Sequence, residues 1–490
     1  MLPKNYNPQE TESKVYERWE QSGFFNPDQC IKEGVTSFAE PHFSIVLPPP
    51  NVTGILHMGH AARVTTEDIL IRYYRMKGYR TLWLPGTDHA SIATQSKVES
   101  LIYKKEKKSR HDLGKEEFLR RVNEFASESH STIINQIKRM GASLDWSREA
   151  YTLDKERHEA VNTAFKTLYD LGVVYRGTRV INWDPKGQTT VSDDEVVHVE
   201  RKGTLYTFYY DQDFPIPIST TRPETKLGDT AVAVNPQDKR YKKYIGKEYK
   251  INFVGEELVV KVVADDTVEM DFGTGALGVT PSHSAADAEI AERHGLPEKT
   301  VINRYAKIEL KGSPYHGLKT KVAREQIVKK LQEDDLMVKE EEIEQNISTA
   351  ERTSGEIEPL PMLQWFVDVN KEFAYPHDNL PFAKKGEKTT LKKLMKMAVQ
   401  EGSINVIPDR FEKIYFHWID NLRDWCISRQ LWFGHRIPAF YRGDEVVVGE
   451  KPEGDDWEQD TDTLDTWFSS GLWSFSTMGW PQQKNPVFGK

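Results

Sequence analysis

Cysteine is almost absent from this chain, with only Cys30 and Cys426 in 490 residues. Two isolated thiols make neither a disulfide framework nor a four-cysteine zinc site, so both are expected to be reduced. Long apolar runs are missing as well. None approaches the roughly eighteen residues a membrane span requires. The opening stretch MLPKNYNPQETESKVYERWEQSG has no apolar core and no small-residue cleavage site, so no secretion signal is expected there and a cytoplasmic location is the expectation. An excess of positive charge is lacking too: the formal net charge of -9 leaves any nucleic-acid binding to local basic strips. There is no internal repeat and no low-complexity segment.

What is present points to a large α/β protein. At this length one core is not enough, and two to four domains are expected. The apolar run Phe43 to Leu47 ends in Pro48, Pro49 and Pro50, which stop a strand because proline cannot donate to the ladder. After Gly59 the spacing of Val64, Ile69, Leu70, Tyr73, Tyr74 and Met76 predicts a helix closing on Gly78. A second short strand, TLWLP, then runs into GTDHA at 86 to 90, the start of a βαβ pattern. Residues 157 to 171 read as an amphipathic helix with Asp154 as N-cap and Gly172 past its end. From about 190 to 310 short β-rich pieces dominate, so a β-rich domain inserted into an α/β one is expected. A helix at about 321 to 333 and the acidic run KEEEIE, read as a solvated face, close it; aromatic-rich α/β texture returns from about 356.

Within this plan, HMGH at 57 to 60 puts His57 and His60 on one face of the turn that opens a helix. Free backbone N–H groups and the helix dipole favour an anion there, and two imidazoles add donors for phosphate oxygens. Gly59, without a side chain, lets a flat ring approach the backbone.

The stretch PPPNVTGILHMGHA resembles the first signature of the class I aminoacyl-tRNA synthetases, in its valyl form. Further blocks in the family's order are GTDHASIATQ (86–95), NWDPKGQTTVSDDEV (182–196), STTRPET (219–225), FGTGALGVTP (272–281), HWIDNLRDWCISRQLWFGHRIPAFY (417–441) and LDTWFSSGLWSFSTMGWP (464–481). The isoleucyl and leucyl branches are similar in plan but differ after the first prolines and carry DSG where this chain has SSG. The resemblance implies a Rossmann-type parallel-sheet catalytic domain split by an inserted β-rich editing domain. Its expected boundaries are 1–187 and 346–490 for the catalytic halves and 188–345 for the insertion. It further implies that His57, Gly59 and His60 bind ATP while valine's carboxylate attacks the α-phosphorus. Asp88, with Asn51 close by, would hold the α-ammonium. Pro49 and Pro50 would form one wall of the side-chain pocket and Trp432 and Phe433 the other, with Phe433 standing where the family usually has a second tryptophan. Trp467 is assigned to the adenylate neighbourhood.

For the valyl enzymes it is established that an apolar pocket rejects threonine by only about a hundredfold, which is why hydrolytic editing is needed. The resemblance places that chemistry on Thr220, Thr221, Arg222, Glu224, Thr225 and Thr280, with Arg222 meeting the terminal phosphate or ribose, and gives Asp287 the misattached residue's ammonium. The chain departs from the family at Gly278, commonly lysine, and at Ser284, commonly aspartate, so a weaker or rearranged editing site is an expectation. Implied partners are valine, ATP and tRNA(Val), with Mg2+ on the ATP phosphates; no zinc, no membrane and a monomer are expected. The run YKKEKKSRH at 103 to 111 is read as a solvated loop, with contact to the tRNA backbone as the alternative. The KMSKS loop and the anticodon-binding domain of the family are not in the 490 residues, so a fragment of a longer product is expected. The alternative function is a truncated relative acting as an editing deacylase or tRNA-binding module without amino-acid activation.

Overall fold

The computed structural model describes residues 6–482. The chain divides into two compact units. Unit one takes in the described residues up to Val174, then Asp368–Arg423 and those from Ile427 onward; unit two is Tyr175–Val367 with Asp424–Cys426. The stretch 188–345, expected as an insertion, lies inside unit two.

In unit one, helices Pro8–Ser22 and Pro27–Lys32 precede a βαβ element. Strand β1 (His42–Ile45) and strand β2 (Arg80–Trp83) pair in parallel, His42 opposite Arg80 and Ile45 opposite Trp83, and helix α1 (Met58–Met76) connects them. Strand β1 stops short of Pro48, as a ladder that runs into prolines must. Two residues beyond β2, Gly86–Thr87 pairs in parallel with Ala150–Tyr151, and a single parallel bridge joins Asn51 to Asp88. Helices α2 (Ser91–Glu106), α3 (Lys115–Arg139) and α4 (Lys155–Asp170) complete this part. Asp154 caps α4 by accepting from the Arg157 N–H, and Gly172 follows its end at φ +71°.

The core face of α1 is narrower than its composition suggests. Val64 and Ile71, two turns apart, are buried against Leu47, Trp83 and Ile133, whereas Ile69, Leu70, Tyr73 and Met76 are exposed. The buried stripe is continued by polar groups: Asp68 accepts from the Ser143 N–H at 2.9 Å, and the Arg75 guanidinium donates to the Ser143 hydroxyl at 2.9 Å. An apolar count therefore locates the helix but not the side that packs.

Unit two is β-rich. Strands β3 (Val196–Phe208), β4 (Ile218–Thr220), β5 (Ala231–Val234), β6 (Glu248–Phe253), β7 (Glu256–Ala264), β8 (Ala276–Val279) and β9 (Met337–Ala350) form two sheets, ordered β6-β7-β5-β8 and β9-β3-β4. Only the β7–β5 pairing is parallel among these. All four side chains of β5 are buried, as befits a central strand covered on both faces. Helices α5 (Ala285–His294) and α6 (Thr320–Glu333) pack here, and Ile327 and Leu331 of α6 join Phe208, Phe253 and Val260 in one core. The acidic run KEEEIE lies on β9, where exposed Glu342 and Glu344 bracket half-buried Ile343.

Candidate functional site

The first candidate site lies in unit one, where α1 begins. Gly54 takes φ +146°, a backbone region open to glycine, as the chain turns from the prolines to the helix. His57 is the N-cap of α1. Its Nδ1 accepts the Gly59 N–H at 3.1 Å, and the Nδ1 of His60 accepts the His57 N–H at 3.3 Å, closing a capping box. Both rings thus spend Nδ1 as an acceptor, and the ring proton of each sits on Nε2. The rings lie 4.0 Å apart and offer two N–H donors beside the free N–H groups of the helix start. Burial, then His57 and Arg63, hold the His60 pKa below the usual histidine value, so a neutral donor is favoured. A Cβ on Gly59 would press on the His57 ring at 2.9 Å, which explains the glycine.

The second element is the loop after β2. The Val52 N–H donates to the Asp88 carbonyl and the Asp88 N–H to the Pro50 carbonyl, each at 2.9 Å, so the proline segment and GTDHA run side by side. Pro50 is buried, Pro49 half-buried and Asn51 exposed. Asp88 is buried, 6% exposed as a residue. Its Oδ1 accepts from the Ala90 N–H (2.8 Å), the Thr152 hydroxyl (3.0 Å) and the Thr466 hydroxyl (3.3 Å), and its Oδ2 from the Ser470 hydroxyl. Burial pushes this carboxyl up, but the hydrogen bonds, led by His89, outweigh it and the group is held below the ordinary aspartate value. The result is a fixed anion with its spare acceptor capacity on Oδ2.

Trp432 and Phe433 are locked to α2, since both backbone N–H groups donate to Gln95 Oε1 at 2.9 and 3.2 Å. Phe433 is buried with Val52 and Phe118, and its ring lies 5.9 Å from His89. Trp432 packs edge-on against Phe118 at 5.6 Å, with the Arg110 guanidinium over it at 5.4 Å. Trp467 is 56% exposed on the short helix Thr466–Ser470. The structure thus brings Pro50, Asn51 and Asp88 together and puts Phe433 beside His89. Sequence reasoning missed Gln95, Thr152, Thr466 and Ser470. Gln95, Thr466 and Ser470 stand inside motif blocks, a signal that was available, whereas Thr152 has none.

The second candidate site lies in unit two and is read by itself. Strand β4 ends at Thr220, and Pro223–Gly228 forms a 3-10 turn. Thr220 Oγ1 accepts the Arg222 N–H at 3.0 Å and the Thr225 hydroxyl donates to the Arg222 carbonyl at 2.9 Å, so the turn is tied by its own side chains. Thr221 is half-buried. The Arg222 guanidinium is paired with Glu358 and, at 3.5 Å, with Glu224; Arg324 grips Glu224 from α6 through two contacts of 2.8 and 2.7 Å. Arg222 is therefore engaged inside the protein.

Behind the turn, Thr280 donates its N–H to Asp287 Oδ2 at 2.7 Å and its hydroxyl to Asp229. Asp287 also accepts from the Ser284 hydroxyl at 3.0 Å, so Ser284 supplies a cap for α5 at the position where an aspartate was the family expectation. Burial pushes the Asp287 carboxyl up. His283, which motif reading passed over, donates from Nδ1 to the Pro359 carbonyl at 3.2 Å and accepts the Val301 N–H at Nε2, 2.9 Å. Its burial pulls the pKa down to about 4, leaving a neutral ring. Among the described residues no group of three or more His, Cys, Asp or Glu is arranged to hold a metal ion. In the stretch 182–187, Asp184 instead takes the Thr353 hydroxyl at 2.5 Å and the Lys186 N–H at 2.9 Å.

Comparison with known proteins covers nearly the whole chain. The family described as tRNA synthetases class I (I, L, M and V) matches residues 14–454 and 449–490. The valine--tRNA ligase of Halalkalibacterium halodurans is 46% identical over 99% of this chain and 53% of its own length. The valine--tRNA ligase of Thermotoga maritima is 45% identical over 98% and 54%. This chain thus spans about half the length of these curated relatives. The solved LeuRS-tRNA-LeuAMS ternary complex of Agrobacterium radiobacter is similar at 16% identity and a TM-score of 0.45, over 98% of this chain and 61% of that one. With nearly the whole chain matched by the family, and relatives at this identity along its length, it belongs to the class I tRNA synthetases of the isoleucyl, leucyl, methionyl and valyl group.

Proposed function

We propose that this chain carries the amino-acid activation and hydrolytic editing parts of a valine--tRNA ligase. The observation that carries the reading is the Asn51–Asp88 bridge. It sets a buried, ionised carboxylate beside the segment that leads into the two-histidine helix start. Asp88 Oδ2 then has the charge and the free acceptor capacity for a primary ammonium. The Nε2 donors of His57 and His60 face an anion such as the ATP triphosphate, and Gly59 leaves room for adenine against the backbone. Mg2+ enters with the ATP phosphates and supplies charge neutralisation there. The 45 to 46% identity to valine--tRNA ligases supports valine over other amino acids. In unit two, the cluster of Thr280, Asp287 and the tied 3-10 turn supports removal of threonine from mischarged tRNA(Val).

Calorimetric titration of the 490-residue chain with a non-hydrolysable valyl-adenylate analogue tests the activation part. Saturable binding is expected, weakened at least about tenfold for the threonyl analogue and lost in Asp88→Asn. Equal binding by wild type and Asp88→Asn, or none by either, overturns it. The second reading, an editing deacylase without activation, draws on the unit-two site alone, with its tied 3-10 turn and the Thr280–Asp287 contact. It predicts threonyl-tRNA(Val) hydrolysis with no binding of the valyl analogue.

A further inference from the structure

Lys226 is a lysine with almost no solvent contact, 5% exposed, in the 3-10 turn of the unit-two site. A buried ammonium is costly unless its donors are used. Here all three are: the Nζ donates to the Gly278 carbonyl at 2.6 Å, to Thr280 Oγ1 at 2.8 Å and to Asp229 Oδ1 at 3.2 Å. The Thr280 hydroxyl accepts from Lys226 and donates to Asp229, while its N–H goes to Asp287, so one orientation of that side chain satisfies every partner. Asp229 is completed by the Tyr210 hydroxyl.

Position 278 could not carry the charge itself. A Cβ built there would overlap the Asp229 carboxylate and the Tyr210 hydroxyl. The positive charge arrives instead from the turn on the other side of Asp229. The neighbouring charged groups are otherwise occupied: Arg222 and Arg324 pair with Glu358 and Glu224, and His283 is neutral.

We propose that Lys226 is the positioning residue of this site, supplying the cation that holds the Thr280 hydroxyl in one orientation and offsets the paired negative charge of Asp229 and Asp287. This rests on the hydrolytic reading of unit two. Burial pushes both carboxyls up, and Lys226 opposes that rise in each. Lys226 does not need to touch the ester; its effect passes through Thr280 and Asp287.

The test uses the whole chain with Lys226→Met, similar in length without charge, and Lys226→Arg, which restores charge. Steady-state hydrolysis of threonyl-tRNA(Val) is expected to lose about tenfold or more in kcat in Lys226→Met with KM nearly unchanged, and to recover in Lys226→Arg. In parallel, carbon NMR of labelled aspartate carboxyls should show the Asp287 titration midpoint moving up in Lys226→Met. Wild-type hydrolysis matched by Lys226→Met, or a Lys226→Arg rate as low as that of Lys226→Met, overturns the proposal. If wild type does not hydrolyse the ester, the hydrolytic reading fails, and the NMR midpoint decides the role of Lys226: a rise supports it and an unmoved midpoint overturns it. If Lys226→Met does not fold by circular dichroism, Lys226→Arg against wild type decides it: a rate near wild type supports the proposal and a tenfold loss overturns it.

Discussion

His283 shows how a single buried group ties stability to pH. Its folded pKa is about 4 against an ordinary 6.5, because burial disfavours the imidazolium and Nε2 is held as an acceptor by Val301 and Ile302. A depressed folded pKa means the unfolded chain binds the proton more readily. Stability from this group is complete above about 6.5 and is lost as pH falls through 4. The difference is worth about 3 kcal/mol at full titration. Urea unfolding at pH 7.5 and 4.5 should therefore show a larger loss for wild type than for His283→Gln, which keeps polar atoms but has no proton to gain. Equal losses in the two proteins would remove this role. Asp229, Asp287 and Glu358, all pushed up by burial, titrate in both proteins and cancel in the comparison.

The same scale shows where sequence reading stops. Residue types with a chemical signature, such as His57, Asp88 and Thr280, were legible because a motif carries them. Their partners were not. Gln95 serves residues 337 and 338 positions away, and Ser470 reaches Asp88 across 382. Both residues stand inside motif blocks, but nothing local marks what they contact, because glutamine and serine are common on exposed helix faces. Lys226 was hidden for a related reason: a lysine is read as surface until its three acceptors are seen.

At the level of elements, periodic helices were read well and pairings were not. The α4 helix and its Asp154 cap follow from spacing and cap chemistry, both local. The β3–β9 ladder joins Val196 to Ala350 and Phe208 to Met337, separations that no turn signal fixes. A prediction belongs to the link between the 3-10 turn and α6. Glu224 is fully buried and receives two contacts from Arg324, while Arg222 is farther off at 3.5 Å and is shared with Glu358. Removing one partner of a buried pair leaves an uncompensated charge. Arg324→Met should cost about 3 kcal/mol in urea unfolding, and Arg324→Met with Glu224→Gln should recover part of it. A single variant within about 0.5 kcal/mol of wild type would show the pair to be dispensable.

For the molecule as a whole, the units do not end where composition changes. The chain enters unit two by the strand Val174–Asp184 and leaves by Glu358–Val367, which are neighbours in one sheet, and Trp425–Cys426 adds to its edge from 58 residues downstream of Val367. The aromatic texture of EPLPMLQWFVDV, read as the return of the α/β part, does not mark the boundary, since Glu358–Val367 belongs to unit two. The core of unit two, built on Phe208, Phe253, Val260 and Ile327, takes only Cys426, among the described residues, from outside 175–367. Excising residues 175–367 forfeits two paired positions at Trp425 and Cys426 and the Tyr175 hydroxyl's contact with Asp424. At roughly 1 kcal/mol per hydrogen bond these contacts amount to a few kcal/mol, against a typical domain stability of about 5 to 15 kcal/mol. The fragment is expected to unfold in one cooperative urea transition, coincident by circular dichroism and by the fluorescence of buried Trp183 and Trp365. It should then release threonine from threonyl-tRNA(Val) faster than buffer, because Lys226, Thr280, Asp287 and the Arg222–Glu358 pair all lie within it. A fragment that folds cooperatively and leaves the ester at the buffer rate would sink the assignment of hydrolysis to unit two alone; non-coincident transitions would show instead that the returning segment is needed for the fold.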